Sequence, residues 1–192
     1  MKKKLFIFAD FDGVFANICT WGNDTQMAKK YPSIKDLDMN KINFVDKICR
    51  RLDKNVTVFF VSISSWKEHF NEHLKEVKKL AGIKRMKLLV DEEAPKRRLT
   101  EHEPWIRLKL IKYYLDKYSP DDYIILDDEF VRQYTTEKHV GHLITTDQYD
   151  GLNYNTLVLL RHRIEQMGLQ KEIMEQEKQR QELIAFLAGS AV

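Results

Sequence analysis

Leu5-Phe6-Ile7-Phe8-Ala9-Asp10-Phe11-Asp12-Gly13-Val14-Phe15-Ala16-Asn17 is the stretch whose reading decides the fold. Its opening apolar run predicts a strand buried on both faces, as in the middle of a parallel sheet. The run ends abruptly in two carboxylates one residue apart, followed by a glycine. Open α/β sheets bind their ligands at the carboxyl ends of strands, and strand alternation sends Asp10 and Asp12 to the same side. Two ionised groups that close repel, so the pairing makes sense where a cation or a proton transfer uses them. Gly13 lets the chain turn away without a Cβ. Taken alone, the same residues also fit a strand that closes in a polar Asp-Gly turn.

Working outward, Val45, Ile48, Cys49 and Leu52 recur on one face and predict a helix over residues 40–52. A second apolar strand, Val56 to Val61, ends in Ser62. Ser65 and Glu68 form a capping box for a helix whose inward face is Trp66, Phe70, Leu74 and Val77, and which Gly82 stops. Residues 86–90 predict a third strand, and the charged loop 91–103 carries Lys96, Arg97 and Arg98. Pro104 suits the first turn of a helix that buries Trp105, Leu108, Ile111 and Leu115. The strand Tyr123 to Leu126 ends in Asp127-Asp128-Glu129, residues 141–146 predict a fifth strand, and Asn153 or Asn155 caps a helical tail over 156–187. This alternation argues for an α/β fold: a doubly wound, mostly parallel five-stranded sheet with right-handed crossovers and a C-terminal helical tail. The expected division is a core of residues 1–153 and an extension, 154–192, packing on the core or on a partner.

Composition narrows the class. The 192 residues, 43% hydrophobic and 32% charged, are ordinary for a globular domain, and a formal charge of +3 does not by itself imply nucleic acid. The basic start Met1-Lys2-Lys3-Lys4 resembles the head of an export signal, but the apolar run behind it stops at Asp10. No stretch is long enough to span a bilayer. Cys19 and Cys49 offer no disulfide framework, so the expected setting is the cytoplasm.

Three strand ends and one helix start thus carry, in order, Asp10-x-Asp12, Ser62, Arg107 with Lys109, and Asp127-Asp128. This order resembles the haloacid dehalogenase (HAD) superfamily, whose motifs are an Asp-x-Asp strand end, a Ser/Thr strand end, a Lys/Arg and an acidic pair. The blocks Val61-Ser62-Ile63-Ser64-Ser65-Trp66, Ile125-Leu126-Asp127-Asp128-Glu129 and His142-Leu143-Ile144-Thr145-Thr146-Asp147 further resemble the small HAD domain of Swiss Army knife RNA-repair proteins, over about residues 5 to 153. The resemblance implies a phosphatase rather than a dehalogenase or transport ATPase, because Asp12 is an acid. It implies Asp10 as nucleophile and Asp12 as general acid and base. It implies Ser62, with Ser64 as rival, on the phosphoryl oxygens, and Arg107 or Lys109 offsetting their charge. Gly13 would stand at the phosphate, and Mg²⁺ would be held by Asp10, the main-chain carbonyl of Asp12, and Asp127 or Asp128.

A HAD cap domain would be inserted between Asp12 and Ser62 or between Ser62 and Arg107. Both intervals are nearly filled by core elements, leaving no room for a large cap. An open mouth favours a phosphate presented on something big, and Lys96, Arg97 and Arg98 are candidates for its backbone. The expectation is therefore a Mg²⁺-dependent phosphatase for a nucleic-acid terminal phosphate, RNA or DNA. A small-molecule nucleotidase and a non-catalytic phosphate-binding or partner-binding domain remain alternatives. His69 and His73 match an inverted zinc-protease spacing, but the simpler reading is a solvated helix face. The tail is expected to pack on the core or a second copy of the chain, making a homo-oligomer possible, and not to bind membrane.

Overall fold

The computed structural model describes residues 2–16, 34–64, 67–95, 103–129, 139–147 and 149–167. Five parallel strands form one sheet: β1 (Lys3–Ala9), β2 (Val56–Ser62), β3 (Lys87–Leu88), β4 (Asp122–Asp127) and β5 (Leu143–Thr145). Their spatial order is β3-β2-β1-β4-β5, every pair parallel. The helices are α1 (Met39–Cys49), α2 (Lys67–Glu72), α3 (Leu74–Leu80), α4 (Glu103–Tyr118) and α5, residues 154–167. The sheet is thus the doubly wound one that the strand and helix alternation predicts.

β1 is central and explains the unbroken apolar run. Leu5, Ile7 and Ala9 face the core shared with α1, α3 and α5, while Phe6 and Phe8 face the core under α4. Both faces are covered, so no position of the strand needs a polar residue. Each large side chain so buried contributes roughly 1.5–3 kcal/mol. At the switch point the chain leaves β1 for β2 on one side and later returns to β4 on the other, which opens a crevice beyond the strand ends.

Several expected bounds shift for identifiable reasons. The helix predicted from Ser65 to Gly82 is two helices, because the backbone at His73 (φ −112°, ψ 22°) leaves the helical region. Ser65 and Trp66 of the expected capping box lie outside the described residues. β3 is two residues long rather than five. Beyond it, Asp91 is drawn onto α4 by Tyr118 Oη at 2.7 Å, Tyr113 Oη at 3.2 Å and Lys117 Nζ at 2.7 Å, so the chain leaves the sheet edge early. β5 starts two residues later than expected, since residues Val140–His142 form a 3₁₀ turn. α1 ends at Cys49 instead of 52. Asn153 does cap α5: its Oδ1 accepts from Thr156 N at 3.1 Å while Thr156 Oγ1 accepts from Asn153 N at 2.8 Å. Leu160 and Ile164 of α5 are buried in the core beside α1, and the rest of the expected tail, 168–192, lies outside the described residues.

Candidate active site

Asp10 sits one step beyond β1, where its N–H still completes the ladder to Leu126 O at 2.9 Å. Its neighbour Phe11 turns the other way and packs edge-on against Phe70 at 4.7 Å between ring centroids, which fixes the loop from below. Asp10 is 1% exposed. Its Oδ1 accepts the Phe11 N–H at 2.7 Å, Ser64 is hydrogen-bonded to the carboxylate, and Arg107 Nη2 lies 2.6 Å from Oδ2. That last contact is an ion pair whose angle is not that of a hydrogen bond. Burial pushes the carboxyl up, with Asp127's charge adding to it, while Arg107, Ser64 and the Phe11 N–H oppose; the pKa is raised to about 7.

Arg107 comes from the second turn of α4 and crosses to the strand ends. Its Nη1 donates to Asp127 Oδ1 at 2.9 Å and Oδ2 at 3.1 Å, and reaches Glu129 Oε2 at 3.4 Å. One guanidinium thereby holds the ends of β1 and β4 together, a task its planar fork suits. Asp127 also accepts the Glu129 N–H at 3.0 Å. Asp128 is half-buried, and burial followed by Asp127's charge raises its pKa to about 6. Asp12 is half-buried in the turn that follows Asp10 and bridges to Ala16.

Gly13 closes this turn at φ +66°, and a Cβ there would stand 2.2 Å from the Asp128 carboxyl carbon. The Gly13 carbonyl accepts Thr146 Oγ1 at 2.7 Å, so the residue after β5 buttresses the nucleophile turn. Thr146 and Glu129 were not among the sequence candidates. Glu129 was visible in the acidic run, but nothing in the sequence singled out Thr146.

The remaining candidates separate. Ser64, not Ser62, is the hydroxyl bonded to Asp10; Ser62 Oγ is buried without a hydrogen-bond partner, its residue level with Ala9 in the β1–β2 ladder. Lys109, two residues past Arg107 and hence on the other side of α4, is exposed. Lys96, Arg97 and Arg98 lie outside the described residues, as does the side chain of His69, while His73 stands at the break between α2 and α3.

Asp10, Asp127 and Asp128 place carboxylate oxygens within 4.8 Å of one another, the one such metal-competent group among the described residues. Asp10, Asp127 and Glu129 share one guanidinium with Asp128 beside them, and burial, with Asp127's charge adding to it, raises the pKa of both Asp10 and Asp128. A hard cation that prefers oxygen fits this set.

A doubly wound parallel sheet with an Asp-x-Asp turn on its central strand, a hydroxyl and an Arg on that carboxylate, and an acidic pair on the adjacent strand defines a HAD-like core. The family model described as the HAD domain in Swiss Army Knife RNA repair proteins matches residues 6–157, and the chain belongs to that family. Membership carries a general expectation of phosphatase chemistry and of Mg²⁺ use. No curated protein and no solved structure matched the chain. No large cap is present among the described residues, and none of their helices is long and apolar enough to cross a membrane.

Proposed function

We propose that the protein is a Mg²⁺-dependent phosphomonoester hydrolase that works through an aspartyl-phosphate on Asp10 and acts on the terminal phosphate of a nucleic acid. The observation that carries the reading is Asp10 itself, buried at the end of the central strand against Arg107 and Ser64, with Asp127 and Asp128 beside it. Asp10 Oδ attacks phosphorus in line; the bond to the leaving oxygen breaks as Asp12 gives that oxygen its proton. Asp12 then takes a proton from the water that attacks phosphorus, and inorganic phosphate leaves with Asp10 restored. Arg107 and Ser64, which both contact the Asp10 carboxylate, would supply donors where phosphoryl charge develops, each such donor being worth roughly 10²–10³ in rate. Mg²⁺, held by Asp10, Asp127 or Asp128 and the main-chain carbonyl of Asp12, would offset phosphoryl charge and keep Asp10 ionised.

Phosphate release from an alkyl phosphate, nucleoside monophosphates and 3′- and 5′-phosphorylated oligonucleotides, with Mg²⁺ or with chelator, tests this. Expected is Mg²⁺-dependent release, fastest from oligonucleotide ends, that Asp10→Asn abolishes while binding and fold persist. Turnover by Asp10→Asn within tenfold of wild type moves the nucleophile elsewhere. Release from monophosphates alone makes the protein a nucleotidase. Silence on every ester leaves a binding domain.

A further inference from the structure

β5 passes to α5 through residues 146–152, and this connection lies against the turn that carries Asp12. Its far end is fastened by Leu152 N, which donates to Val14 O at 2.9 Å, and by Lys41 of α1, whose ammonium donates to the Asp150 carbonyl. Its near end is Thr146, which reaches both of the segments that bring carboxylates to the site. The Thr146 N–H donates to Asp127 O at 3.0 Å, one step beyond the Asp127–Thr145 pair of the β4–β5 ladder, and the hydroxyl donates to Gly13 O at 2.7 Å. Pairing with β4 asks only for the N–H, which any residue but proline supplies. Thr146 is 6% exposed, and a hydroxyl is unfavourable to bury unless it is bonded, so a valine of the same shape would serve a position that only continued the strand. The hydroxyl is accounted for by the carbonyl it holds.

That carbonyl belongs to the residue of the turn with the freest backbone. The turn's own bonds hold its other groups: Gly13 N donates to Ala16 O at 2.8 Å, and the N–H groups of Val14, Phe15 and Ala16 all point at Phe11 O, at 3.2, 2.9 and 2.8 Å. The Gly13 carbonyl faces outward instead, and the Thr146 hydroxyl sets the Gly13–Val14 peptide against the end of β5. Gly13 in turn lies against the acidic pair, since the Cβ it lacks would stand 2.2 Å from the Asp128 carboxyl carbon. Where Gly13 sits therefore fixes the gap between the turn that carries Asp12 and the segment that carries Asp127 and Asp128. We infer that Thr146 is a positioning residue for the metal: by bonding Gly13 O and Asp127 O together it keeps the oxygens on the two segments within reach of one Mg²⁺. Mg²⁺ demands near-ideal octahedral geometry, so a small displacement of one segment against the other weakens it sharply. The inference rests on the proposed Mg²⁺-dependent phosphatase reading and adds to it a residue that is neither a ligand nor in the acidic run.

Two measurements test it apart from that reading. The first is calorimetric titration with Mg²⁺ alone, in which no substrate and no turnover take part. Thr146→Val, which keeps the shape and the N–H but not the hydroxyl, is expected to raise the Mg²⁺ Kd roughly 10–100-fold, the usual effect of removing a group that orients metal ligands. Thr146→Ser, which keeps the hydroxyl, should stay near wild type. Where circular dichroism shows Thr146→Val unfolded, Thr146→Ala, with less bulk at the carbonyl, takes its place with the same expectation. The second measurement follows release from an alkyl phosphate as Mg²⁺ is raised. The hydroxyl-free variant should need more Mg²⁺ for half-maximal kcat by the same factor, with KM for the ester unchanged, because Thr146 acts through the metal and not on the ester. A Kd for the hydroxyl-free variant equal to that of wild type, or an equal rise for Thr146→Ser, overturns the assignment and leaves the phosphatase reading intact. Mg²⁺ binding by wild type without release from any ester overturns the phosphatase reading, and the titration then decides Thr146 alone. Absence of Mg²⁺ binding by wild type overturns the assignment, and ester release then decides the phosphatase reading.

Discussion

Gly13 answers to three demands at once: a left-handed turn, a carbonyl for Thr146, and a clear path for the Asp128 carboxyl. Gly13→Ala adds a left-handed alanine, costing roughly 1–2 kcal/mol, and a Cβ that must push Asp128 aside. The expected result is a lower melting temperature together with loss of the further rise that Mg²⁺ gives wild type by binding the folded state. Melting curves with and without the ion read both, and an unchanged Mg²⁺ increment would show that Asp128 is not a ligand. A second pair of residues shows what the sequence could not resolve. Ser62 and Ser64 stand two residues apart at one strand end, and which hydroxyl meets Asp10 depends on where the pleat stops, a boundary that sequence locates only to within a residue or two. Ser62 is still in the ladder opposite Ala9, on the other face from Asp10; Ser64 lies past the strand end. Ser64→Ala is expected to lower kcat roughly a hundred- to a thousandfold. Ser62→Ala, which removes a buried hydroxyl that has no hydrogen-bond partner, should leave both activity and stability near wild type. A larger kinetic loss from Ser62→Ala than from Ser64→Ala reverses the assignment.

At the scale of elements, α1 was legible from its apolar face, but the residue that ties it down was not. Asp46 is fully buried on that helix, and its carboxylate accepts Lys84 N at 3.1 Å, Arg85 N at 2.7 Å, Met86 N at 2.8 Å, and Arg50 Nε and Nη2 at 3.0 and 2.8 Å. An acid inside a helix normally reads as solvated surface, and besides the neighbouring Arg50 its partners here are three main-chain N–H groups about forty residues away, which no local pattern reports. Burial works to raise its pKa, but the bonds from Met86, Arg50, Arg85 and Lys84 prevail and hold it below its ordinary 3.8. The carboxylate therefore stabilises the fold fully above about pH 4, and the stabilisation is lost as pH falls through the depressed folded value. Asp46→Asn aims amide hydrogens at N–H donors and is expected to cost about 2–4 kcal/mol in urea unfolding at pH 7. The gap between variant and wild type should narrow below pH 4; a gap constant down to pH 2 would show that the charge is not what matters. The same kind of long-range tie shortened β3, where Asp91 draws the chain onto α4. The alternating elements and the four strand-end motifs could be read because they are local; the ties between elements could not.

Across the whole molecule, the charge balance and the open mouth bear on what the substrate is. The formal charge of +3 is small, and the described rim is acidic at Asp12, Asp128 and Glu129, so any grip on a polyanion must come from a local basic segment. In the sequence Lys96, Arg97 and Arg98 stand between Pro95 and Glu103, the start of the helix that delivers Arg107. If these three side chains touch backbone phosphates of a single strand, binding releases counterions with a slope of about −2 in log K against log salt. A fourfold rise in salt should then lower kcat/KM for a phosphorylated oligonucleotide by about twentyfold. An alkyl phosphate meets only the buried groups at the strand ends and should respond far less. Replacing all three residues by Ala should flatten the oligonucleotide's slope toward that of the alkyl ester, raising KM while kcat holds, since contacts remote from phosphorus bind ground and transition states alike. Parallel salt slopes for the two substrates in wild type would remove the nucleic acid from the proposal and leave a small ester in its place.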